Sequence, residues 1–275
     1  MSKFIPKIRK KIAKNTTTTA TICGILIFVS LFQILTLFRD RIVPKIFGLT
    51  HSDLLVRIIY LDRSNDPNLY YALGEYYFGA GAYDFEKSKY YFEKSISIDE
   101  KLPLAHYQLS RIYFITGDQK TALSEINKEI EYYPNFKRSH YIRGLVYGYS
   151  GKLDLAVLDF KEFIAWKPET WAGYNDLAWI YFQQGDFTNS YETAAKGLKY
   201  APGNPWLLNT VGISLKNLGD SVGAKRAFEA SLATINTLTP ESWGKAYPGN
   251  DPDFYNKGFS NMKKTVEDNI ALLNI

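Results

Sequence analysis

The sequence predicts an all-α fold, an α-solenoid of helical hairpins standing behind a single N-terminal transmembrane helix. Three observations carry this expectation. Residues 20–38 form a run of nineteen without a charge. Beyond them, glycines and prolines recur at an interval of 34 residues. Between these breaks, apolar residues fall at helical spacing.

The N-terminal part is read from its charges. Six of the 33 Lys and Arg residues, Lys3, Lys7, Arg9, Lys10, Lys11 and Lys14, lie in the first fourteen positions, leaving 27 basic against 28 acidic residues elsewhere. The formal net charge of +5 therefore belongs to the tail, residues 1–19, and nucleic acid is not an expected partner. From Ala20 to Phe38 a helix rising about 1.5 Å per residue covers roughly 28 Å, close to the hydrocarbon core of a bilayer. A cleaved signal peptide fits less well, because the run is long and Arg39-Asp40-Arg41 follows it without a small-residue cleavage site. Basic residues are denser before the span than after it, where Arg39, Arg41 and Lys45 lie closest. A single-pass protein is thus expected, with its tail cytoplasmic and its larger part outside a bacterial cytoplasmic membrane. Residues 39–66 read as a spacer, Pro44 to His51, and a pre-repeat helix, Asp53 to Asp62. A lone Cys23 offers neither an internal disulfide nor a zinc site.

The repeats follow. Gly117, Gly151, Gly185 and Gly219 stand 34 apart, as do Pro134, Pro168 and Pro202. Tyr113, Tyr147, Tyr181 and Leu215 keep the same step, and so do Ala122, Ala156, Ser190 and Ala224. The unit reads as a hairpin: Leu104 to Thr116 is one helix, Gly117-Asp118 breaks it, Gln119 to Tyr132 is the second, and Pro134 stops that one. The small residue of the second helix allows close approach, with an aromatic of the first helix expected to fill the space beside it. One hairpin cannot bury its apolar face alone, so neighbours must stack.

This pattern resembles the tetratricopeptide-repeat (TPR) family. The third unit carries His140, Gly144, Tyr147, Gly151, Ala156, Phe160 and Pro168; the fourth carries Tyr174, Leu177, Ala178, Tyr181, Gly185, Ser190, Ala194 and Pro202. Leu208, Gly212, Leu215, Gly219, Ala224 and Phe228 form the fifth. The first, Tyr70, Leu73, Gly74, Tyr77, Gly81, Ser88 and Phe92, requires a two-residue insertion placed within residues 82–87. Five TPR-like units then occupy residues 67–238. Residues 239–275 read as a capping segment, with a helix start at Asn250-Asp251-Pro252 and an amphipathic face of Met262, Val266, Ile270 and Leu273.

No enzyme signature occurs: there is no phosphate-binding glycine loop, HExxH, cysteine pair or nucleophile elbow. His106 and His140 share a repeat position and are expected to pack between helices, not to ligate a metal. No catalytic activity and no cofactor are expected. The resemblance instead implies a peptide-binding groove lined by the first helices. Its candidates are Tyr71 and Phe78, then Tyr107, Arg111 and Phe114, then Arg138, Tyr141 and Tyr149. The fourth and fifth units add Asn175, Trp179, Phe182, Trp206 and Asn209. Asn175 and Asn209 occupy equivalent positions, where an amide can bond the backbone of an extended peptide. Chaperone-binding relatives grip a C-terminal carboxylate with several cations, and only Arg111 and Arg138 stand ready here. The expected function is a membrane-anchored scaffold for other proteins or peptides of a membrane or envelope complex, with residues 20–38 in the lipid bilayer. The alternative is a structural spacer that self-assembles through the C-terminal helix.

Overall fold

Six of the described helices begin at an Asp or Asn whose side chain accepts an orphan N–H of the first turn. The computed structural model describes residues 65–80, 83–246, 253 and 255–273. The expected tail, membrane span, spacer and pre-repeat helix, and the helix start at residues 250–252, lie outside these. Among the described helices none is long and apolar enough to cross a membrane.

Ten helices form five hairpins: α1 (Pro67–Glu75) with α2 (Phe85–Ile98), α3 (Ala105–Ile115) with α4 (Gln119–Tyr132), α5 (Arg138–Tyr149) with α6 (Leu153–Trp166), α7 (Trp171–Gln183) with α8 (Phe187–Leu198), and α9 (Pro205–Asn217) with α10 (Ser221–Ile235). Two more follow, α11 (Pro240–Lys245) and α12 (Tyr255–Ala271). Each hairpin packs on the next. First helices also touch first helices, α3 with α5, α5 with α7, and α7 with α9. That crowding makes the first-helix side of the stack its inner face.

The turns obey one rule. Gly117, Gly151, Gly185 and Gly219 have φ of 90°, 73°, 76° and 86°, and nothing lies within 4 Å of where a Cβ would sit. Glycine is needed there for its backbone and not for space. After each glycine the next N–H returns to a carbonyl five residues back, as from Asp118 to Tyr113 at 2.8 Å and from Asp186 to Tyr181 at 2.9 Å. In the first hairpin the matching bond runs from Asp84 to Tyr77, seven residues back, at 2.8 Å. The two extra residues therefore lie between Tyr77 and Asp84, a stretch that overlaps the expected residues 82–87 only at 82 and 83. They widen the end of α1 into the π-helical turn Tyr76–Ala80. The left-handed position falls to Tyr83, at φ 50°, where the repeat alignment had placed Gly81.

The packing inside each hairpin corrects a second expectation. The aromatic that fills the space comes from the second helix and sits against a small residue of the first. A Cβ on Gly74 would lie 2.7 Å from the Phe92 ring; on Gly144, 3.1 Å from Phe160; on Gly212, 2.5 Å from Phe228. Those three phenylalanines are fully buried. Where the second helix offers Ile126, the first carries Ser110, a pair of similar combined size, whereas the fourth hairpin pairs the smaller Ala178 and Ala194. At the far end α12 covers α10: Val266 is fully buried with Phe228, Ile235 and Ala224, and Phe259, Met262, Ile270 and Leu273 pack around it.

Candidate functional site

The inner face divides into a region already filled by its own side chains and a region that stays open. Two of the expected groove residues belong to the core. Phe78 is 4% exposed, packed with Phe92, Leu109 and Ile112, and Tyr107 is 7% exposed, packed with Ile126 and Ile142. Both rings lie over a seam between consecutive repeats, where burying a large apolar surface outweighs presenting it. Tyr71 is half-buried, edge-on to Phe92 at 5.3 Å. Phe182 packs on Phe187 at 5.4 Å, and Trp206 is stacked on Trp171 at 5.2 Å and on Trp243 at 6.5 Å.

Arg111 is also committed. Its guanidinium lies 4.3 Å from the centre of the Phe78 ring, and its Nη1 donates to Gln108 Oε1 at 2.7 Å. Gln108 in turn donates to Glu75. Burial holds the Glu75 carboxyl above the usual carboxylate range and lowers Arg111, while the same desolvation and the nearby Glu75 push the Tyr71 hydroxyl up to about 12. Arg138 remains exposed. A grip on a terminal carboxylate therefore finds one open cation here and not a pair.

Sequence reasoning overlooked Glu129. It is fully buried on α4, at a position where hairpins one and five carry Ser95 and Ser231. Its two oxygens accept from the N–H groups of Leu104 at 3.0 Å and Tyr107 at 3.2 Å. This carboxylate caps α3 from outside the helix, whose own N-cap residue, Leu104, offers no side-chain bond. The two histidines are likewise occupied, each within its own hairpin. His106 places Nδ1 2.6 Å from Glu125 and Nε2 2.9 Å from the Glu100 carbonyl. Both ring nitrogens face oxygen atoms. His140 Nδ1 lies 2.8 Å from Asp159, which Arg143 also engages through Nε and Nη2 at 2.8 Å.

The open region lies across the second to fifth hairpins. Phe114, Tyr149 and Trp179 form a ladder, with centroids 5.2 Å apart at each step. Tyr149 is 62% exposed, although its side chain is large and mostly apolar. Gly148 makes the ladder compact, because a Cβ there would meet Trp179 at 3.2 Å and Ile180 at 2.6 Å. A polar chain also crosses three helices, α5, α7 and α9. Tyr141 donates to Asp176 Oδ2 at 2.6 Å, and Asn175 Nδ2 donates to Asp176 Oδ1 at 3.2 Å. Thr210 donates to Asn175 Oδ1 at 3.2 Å. Asn175 is thus engaged at both ends of its amide. Its equivalent Asn209 differs: its Oδ1 is buried with no hydrogen-bond partner among the described residues. Asp176 is the functional-looking group that sequence reasoning missed. Its signal was a solitary carboxylate in the helix sequence WAGYNDLAWIYFQ.

Residues 137–170 and 172–204 match the tetratricopeptide-repeat family model. No curated protein matches the sequence. Solved structures share the fold. MamA from Desulfovibrio magneticus RS-1, residues 41 to the end, superposes with a TM-score of 0.57 at 18% identity, covering 62% of this chain and 96% of that one. A crystal structure of MamA protein gives a TM-score of 0.55 at 18% identity, covering 62% of this chain and 92% of its own. YrrB, described as a TPR protein with an unusual peptide-binding site, gives 0.54 at 12% identity, covering 65% of this chain and 91% of its own. The chain carries tetratricopeptide repeats in an all-helical solenoid.

Proposed function

We propose that this array of tetratricopeptide repeats is a non-catalytic scaffold, anchored in a membrane by residues 20–38, that holds an extended segment of a partner protein along its inner face. The observation that carries the reading is the ladder Phe114, Tyr149 and Trp179, with Tyr149 62% exposed; the unpartnered Oδ1 of Asn209, on α9, is a separate feature of the same face. Aromatic rings supply contact area at small entropic cost. A buried acceptor without a donor is costly, and a backbone N–H of a bound segment relieves that cost. YrrB, of similar fold, is described as having an unusual peptide-binding site, which supports peptide binding as a use of this fold. The charge asymmetry around residues 20–38 favours a cytoplasmic tail and an extracytoplasmic repeat domain, serving a complex of the bacterial envelope. Tethering to a bilayer raises the effective concentration of the scaffold beside its partners.

The test is a photo-crosslinking residue at position 179 in intact cells, with captured proteins identified by mass spectrometry. One enriched partner is expected, and its recovery drops severalfold when Tyr149→Ala and Asn209→Ala are combined in a still-folded protein. Crosslinks to the chain itself alone, or recovery unchanged by the two substitutions, overturn the groove.

A further inference from the structure

Asp176 differs from Glu75 and Asp159, two other carboxylates of the stack. Glu75 shares its surroundings with Arg111, and Asp159 has both Arg143 and His140, but among the described residues no cation is paired with Asp176. Its partners are two neutral donors, the Tyr141 hydroxyl at 2.6 Å and the Asn175 amide at 3.2 Å. They occupy two of roughly four lone-pair sites, and the others remain for a ligand. Desolvation holds this carboxyl up at about 6, so the site lacks a positive charge of its own.

The surroundings match what is missing. Trp179 follows Asp176 by three residues, on the same side of α7. Tyr149 approaches from α5, where burial first and the Asp176 charge second raise its hydroxyl, and its ring lies 5.2 Å from Trp179 at 34°. A carboxylate one helical turn from Trp179, and close enough to Tyr149 to act on it, is complementary to an ammonium or guanidinium group that also meets electron-rich rings. The internal cations are spent elsewhere, Arg143 on Asp159 and Arg111 over Phe78. We propose that Asp176, Tyr149 and Trp179 form the seat for one lysine or arginine side chain of the bound segment. This assignment rests on the peptide-holding reading above and names the residue type that it selects.

The experiment uses the full chain in detergent and an arrayed library of short random peptides with one residue fixed at each position in turn. Wild-type protein is expected to retain peptides with Lys or Arg fixed at one position. In Asp176→Asn, which keeps an oxygen acceptor at the site, their affinity falls about 10- to 100-fold, the loss of one charge-assisted pair. Peptides with neutral residues at that position stay unchanged, and thermal unfolding confirms that the variant is folded. Retention of peptides without a basic preference, or a basic preference that persists in Asp176→Asn, overturns the seat while leaving the groove intact. Retention of no peptide by wild-type protein overturns the groove reading, and this assignment with it.

Discussion

At the scale of single residues, the inner face holds groups whose cost to the fold is visible. Asp176 is raised from 3.8 to about 6 by burial, so the native state binds its proton more tightly than the unfolded chain does. The sign follows: the native state is favoured below the unfolded value and loses that advantage as pH rises through about 6. Above that range Asp176 destabilises the fold, and Asp176→Asn is expected to raise stability by about 1–3 kcal/mol near pH 8. The gain should vanish below about pH 4, where both forms are neutral. Denaturant titrations at the two pH values check this, and an equal effect at both would sink it. Tyr83 is a second such residue. It occupies at φ 50° the turn position that four glycines hold elsewhere, a conformation that costs a residue with a Cβ of order 1 kcal/mol.

At the scale of elements, the hairpins differ chiefly in how their second helices start. Asp84, Asp118, Asp186 and Asp220 each accept an N–H from the first turn that follows them. At the same position α6 has Lys152, whose side chain makes no capping bond although its backbone, φ −87° and ψ 61°, is close to that of Asp118. Lys152→Asp is therefore expected to add about 1 kcal/mol, seen as a rise in Tm of a few degrees. An unchanged or lower Tm would count against the capping account. The size pairing of Gly with Phe was half legible in the sequence. The series of small and aromatic residues was plain, but which helix supplied the filling ring depends on rotamer directions that spacing alone does not give.

At the scale of the whole molecule, a solenoid exposes one apolar face at each end and needs a cover there. At the C-terminal end α12 is that cover, and Val266 is fully buried against α10. Val266→Ala is expected to cost about 1–3 kcal/mol, with amide exchange quickened first in α10. Its elution on gel filtration should not change; a loss of oligomerisation in a still-stable protein would instead favour assembly through this helix. The stacking of first helices on first helices is also a property of the whole. It brings Asp176 of α7 under Tyr141 of α5 and sets Thr210 of α9 on Asn175, across 35 residues of sequence in each case.

The sequence by itself determined the helical class, the 34-residue step, the glycine turns and the amphipathic final helix, because these depend on periodicity and on local backbone needs. Only the tertiary structure decided which groove candidates are open. Phe78 and Tyr107 looked like ligand-facing rings and became core, whereas Tyr149 stayed exposed, with the half-buried Trp179 beside it. The reason is that equivalent positions in a repeat share a direction but not an environment. What each side chain meets is set by the neighbouring hairpin, whose residues lie about one repeat away in the chain and vary from unit to unit.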